Sequence, residues 1–69
     1  MPLSLADIGV PRVIRRIGGD REVRKYLGSL GFVIGGEVAV VNMLGGNLIV
    51  RIKDSRVAVS GELARNIMV

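Results

Sequence analysis

The chain has no cysteine, no histidine and no tryptophan. Without thiol or imidazole there is no disulfide staple, and neither a soft nor an imidazole metal site can be assembled. The usual general base and the most nucleophilic side chain are missing too, and Ser4, Ser29, Ser55 and Ser60 have no partner to activate them. With one tyrosine and one phenylalanine, the core must be aliphatic and platforms for base stacking are scarce. No apolar run approaches the roughly 18 residues of a membrane span. Phe32-Val33-Ile34 and Val38 to Val41 are each cut short by flanking glycines or polar residues. The opening Met1 to Asp7 lacks the basic start and continuous apolar stretch of a signal peptide. A cytoplasmic protein without a cofactor is therefore expected, and not an enzyme.

What is present is a short, greasy, basic chain. Its 69 residues are 49% hydrophobic, which suits one small domain, residues 1–69, with about 60% of the unfolded surface buried. The formal net charge of +4 comes entirely from residues 12–25, where Arg12, Arg15, Arg16, Arg21, Arg24 and Lys25 face only Asp20 and Glu22. Elsewhere acids and bases balance. Such a segment suits an acidic protein surface, anionic headgroups or nucleic acid, or simply keeps the domain in solution.

Residues 20 to 41 are the most informative stretch. Asp20 can accept from the first free backbone donors as N-cap, Glu22 favours the positive end of the helix dipole, and Gly31 suits a left-handed C-cap. Val23, Tyr26, Leu27 and Leu30 recur at i, i+3, i+4 and i+7, giving an amphipathic helix over about 20–30. Gly35 and Gly36 punctuate the connector, and Glu37 to Met43 then reads as a strand. In that strand Val38 and Val40 share one side, and Ala39, Val41 and Met43 the other.

Leu44-Gly45-Gly46-Asn47 is a hairpin signal, and in the next strand Leu48, Val50 and Ile52 oppose Ile49, Arg51 and Lys53. A second turn is expected at Asp54-Ser55, before Arg56 to Val59. Before the helix, Pro11 to Ile17 reads as a first strand whose broken alternation points to a bulge or two-sided burial. Helical turns are expected near 4–8, capped by Ser4, and near 61–66, capped by Ser60, with Ile67 to Val69 as a closing strand. Five short strands with so little helix bury a sheet face most economically by closing into a small, mainly β barrel.

The remaining motifs carry little chemistry. The pairs Gly18-Gly19, Gly35-Gly36 and Gly45-Gly46 match no complete phosphate-binding pattern, so they read as turns. The six acids fall at caps, helix starts and strand ends. Nucleic-acid binding through the arginines is the runner-up, disfavoured because Tyr26 and Phe32 fall on the apolar pattern.

Leu27-Gly28-Ser29-Leu30-Gly31-Phe32-Val33-Ile34-Gly35 followed by a strand resembles the most recognisable segment of the ferrous iron transport protein A family. Leu3 to Gly9 is similar to the family's opening and Val57-Ala58-Val59 to its late strand. Glu62-Leu63-Ala64-Arg65-Asn66-Ile67-Met68-Val69 is similar to its ending. The hairpin Met43 to Asn47 is shorter than the family pattern and lacks its frequent proline.

The resemblance implies an SH3-like barrel and a non-catalytic accessory role in bacterial ferrous iron uptake. The implied partner is the cytoplasmic GTP-binding part of the ferrous iron permease, with self-association left open. A stand-alone SH3-like domain of a metal-dependent regulator is an alternative that the resemblance also allows. Candidate docking residues are Met43, Leu44 and Ile49 around the hairpin, and Tyr26, Arg24 and Lys25 on the helix. No catalytic or metal-ligating residue is nominated.

Overall fold

A computed structural model describes residues 1–69. The element order is a 3-10 turn (Leu3–Leu5), β1 (Arg12–Val13), β2 (Arg16–Ile17), α1 (Arg21–Leu30), β3 (Glu37–Leu44), β4 (Asn47–Ile52), β5 (Ser55–Ser60), α2 (Gly61–Ala64) and β6 (Ile67–Met68). Four strands form one antiparallel sheet in the order β1-β3-β4-β5, and β2 pairs with β6 in a second. The strands are six, not five. The expected first strand is cut at Ile14-Arg15, because Arg12 and Val13 pair with Val38 and Glu37 while Arg16 and Ile17 pair with Met68 and Ile67. One extended segment thus serves both sheets, which explains its broken alternation.

The two sheets close around a single cluster of buried aliphatics and Phe32. Along β4, Leu48, Val50 and Ile52 point inward, opposite Val59 and Val57 on β5 and Val40 and Val38 on β3. Helix α1 inserts Leu27, with Val23 and Leu30 packed beside it. The ends of the chain meet: Val69 N–H donates to the Met1 carbonyl at 2.8 Å, and Pro2 bridges Met68.

Three local readings are corrected. Ser4 caps nothing; the first turn runs Leu3–Leu5 after Pro2, without a side-chain cap. The second hairpin turns on Lys53-Asp54, not Asp54-Ser55, since Ser55 already pairs with Ile52 and Lys53 takes φ 55°. The closing helix is shorter than 61–66, ending at Ala64, with the Ser60 hydroxyl accepting from Leu63 N–H.

Candidate functional site

The β3–β4 hairpin is built on Gly45 and Gly46, both at positive φ (54° and 83°), as both central residues of a type I′ turn must be. Nearer the core, β3 carries a bulge: Val40 pairs with Val50 and Asn42 with Ile49, so Val41 is the extra residue. This shift corrects the expected facing of Met43. Residues directly opposite in an antiparallel pair share a face, and Met43 opposes the buried Leu48. Met43 therefore overhangs the inner face, whereas Leu44, Asn42 and Ile49 lie on the outer one. Met43 and Leu44 are 45% and 57% exposed, and Ile49 is half-buried.

The hairpin tip is braced from two sides. Gly61 N–H donates to the Gly46 carbonyl at 2.9 Å, tying the tip to the start of α2. Met43 N–H, which points away from β4, is taken by Asn42 Oδ1 at 2.8 Å.

The second set of candidates lies on α1. Asp20 Oδ1 accepts from Val23 N–H at 2.9 Å, and Gly31 closes the helix at φ 107°. Arg24 Nη1 donates to the Gly19 carbonyl at 2.7 Å, leaning back over the helix entry. Lys25 is exposed, and Tyr26 stands half in solvent. A surface depression of about 610 Å³ is lined by Arg21, Glu22, Arg24 and Lys25. These all come from one helix, so it is open surface. Three cations and one carboxylate suit an acidic partner group, not a metal ion.

The structure does not bring the hairpin and helix candidates together. The hairpin tip abuts α2 at the Asn47 end of β4, while the end of α1 approaches Ile52 at the other end. A six-residue strand separates those ends by about 17 Å.

The turn glycines have local explanations. Gly18 N–H donates to the Asn66 carbonyl at 2.7 Å, and a Cβ on Gly19 would come within 2.8 Å of Val23 Cγ1. Gly35 sits at φ 87° in the turn closed by Gly36 N–H on the Val33 carbonyl. That turn presents Ile34, 67% exposed, an apolar tip outside the candidates named from the sequence. Its signal was Gly35 two residues after Val33, the residue type that such a turn requires. Phe32 is buried, leaving Tyr26 as the one accessible aromatic. No group of three or more His, Cys, Asp or Glu side chains is placed to hold a metal ion.

A family model described as the FeoA domain matches residues 1–69. The chain belongs to the FeoA domain family. Similar solved structures include an iron uptake regulatory protein (FeoA), 25% identical with TM-score 0.89, aligned over 97% of this chain and 91% of that one. Another is FeoA of Stenotrophomonas maltophilia in complex with zinc, 27% identical with TM-score 0.83, aligned over 99% and 87%. That protein is described as a prokaryotic SH3 domain protein and a candidate bacterial ferrous iron transport activating factor. A manganese-dependent transcriptional repressor matches at 21% identity and TM-score 0.88, over 97% of this chain but 39% of that one, a likeness of fold alone. No match is found among the curated proteins. This FeoA domain is thus SH3-like and mainly β, as its alternating strands imply.

Proposed function

We propose that this FeoA domain is a non-catalytic accessory protein of bacterial ferrous iron uptake, docking on the cytoplasmic GTP-binding part of the ferrous iron permease and modulating its assembly or activity. The observation that carries the reading is the family match across residues 1–69. Two FeoA structures of similar length and the same fold support it. The chain works at the inner face of the membrane through its partner; no helix is long and apolar enough to cross a membrane. It requires no cofactor of its own.

Leu44 and Ile49 form the preferred docking face, with Met43 at its margin, since apolar side chains on the outer face contribute little to the core. Tyr26, Arg24 and Lys25 form a second, charge-assisted contact. The test is capture of the purified permease cytoplasmic domain by this chain. Leu44→Ser with Ile49→Thr is expected to leave the fold intact and abolish capture. Charge reversal of Arg24 and Lys25 is expected to weaken capture at low salt more than at high salt, as screened contacts do. Full capture by the folded Leu44/Ile49 variant would remove the hairpin from the interface. Failure of the wild-type chain to bind at all would favour the regulator reading.

A further inference from the structure

Strand β5 ends the order β1-β3-β4-β5 and has no neighbour on its far side. Which of its backbone groups face outward follows from the turn. Ile52 and Ser55 flank a two-residue turn and form a hydrogen-bonded pair, so pairs alternate from there. Val57 and Val59 spend their N–H and C=O groups on β4. Arg56 and Ala58, opposite Arg51 and Ile49 in non-hydrogen-bonded pairs, turn theirs to the open edge. The same alternation places the Val40 carbonyl on the opposite edge of β3, where Gly9 N–H donates to it at 2.7 Å. No turn, loop or cap hydrogen bond involves Ser55 to Val59. Arg56 and Ala58 are exposed, leaving the edge accessible.

This edge carries a charge conflict. Arg51 and Arg56 are direct cross-strand partners on the outer face, both exposed. Side chains in a non-hydrogen-bonded pair lie close, and like charges there are destabilising. Neither guanidinium is drawn away by a hydrogen bond within the chain; Arg24 is the one arginine whose side chain donates one. A second copy adding its β5 to this edge would bring four arginines together, so the charges oppose self-pairing. They favour a strand of opposite charge.

We propose that the β5 edge receives an extended acidic segment of a partner protein by strand addition. The backbone of Arg56 and Ala58 supplies the ladder, and carboxylates of the added strand lie on the outer face beside Arg51 and Arg56. Val57, half-buried and facing inward, sets the alternation: acidic on the outer face, apolar on the inner. This edge adjoins the outer face at Ile49, the cross-strand partner of Ala58, but it is read from the open backbone of β5 and does not depend on the iron-uptake reading.

The experiment titrates a capped peptide of about six residues alternating glutamate and valine into the labelled chain, followed by amide shifts and hydrogen exchange. Saturable binding with Kd below about 1 mM is expected, with exchange slowed at Arg56 and Ala58 amides. The same peptide with glutamine for glutamate, and the chain carrying Arg51→Glu with Arg56→Glu, are each expected to bind at least about tenfold more weakly. Ala58→Pro removes an outward N–H without breaking the β4–β5 ladder and is expected to abolish binding. Absence of binding at about 1 mM peptide overturns the proposal. So do shifts confined to Arg21, Arg24 and Lys25, protection of the same amides by self-association, or displacement of the peptide by an oligonucleotide of equal charge.

Discussion

Arg12 Nε is buried without a hydrogen-bond partner. The side chain opposes the fully buried Val38 and is half-buried, so its stem packs while one donor is stranded. An unsatisfied buried donor costs about 1–3 kcal/mol. Arg12→Met keeps the stem and removes the donor, so its urea midpoint is expected to equal or exceed that of the wild type; a clear fall would show that the charge stabilises the fold. Gly31 poses the opposite case. A Cβ there would meet Ile52 Cγ2 at an ordinary 3.5 Å, so space is available and φ 107° is the constraint. Gly31→Ala and Gly31→Val are both expected to destabilise by more than about 1 kcal/mol. Loss on Val alone would point to crowding, not backbone conformation. Asp20 and Gly31 were readable because a cap is a local device: the residue type and the helix end lie within one turn of each other.

Among the elements, the hairpin depends on its brace. A Cβ on Gly61 would lie 2.9 Å from the Gly46 carbonyl oxygen, the atom to which Gly61 N–H donates. Gly61→Ala is therefore expected to cost about 1–3 kcal/mol, as overpacking does, and to speed amide exchange at the hairpin tip. An unchanged midpoint and unchanged exchange would show that the tip is held by its strands alone. Helix α1 and the Gly45-Gly46 turn were legible because periodicity and glycine placement are short-range. The facing of Met43 was not, since the bulge at Val41 leaves no mark in a run of valines. Nor was the Lys53-Asp54 turn, because lysine carries no preference for positive φ.

At the scale of the whole molecule, closure rests on pairings between distant segments: β1 with β3, and β2 with β6. Alternation within Pro11 to Ile17 cannot reveal that the segment changes sheets, so the barrel was legible and its strand count was not. The candidate site was legible only as separate apolar and basic groups. Register then put Leu44 and Ile49 on one face, Met43 on another, and α1 at the far end of β4. The most direct test of the proposed role is ferrous iron uptake in cells that hold the proposed permease partner but lack the chain. Restoring the wild-type chain is expected to restore uptake, while the folded Leu44→Ser/Ile49→Thr variant at equal abundance is expected not to. No gain of uptake with the wild-type chain would contradict the proposed role, and full uptake with the double variant would contradict the docking face.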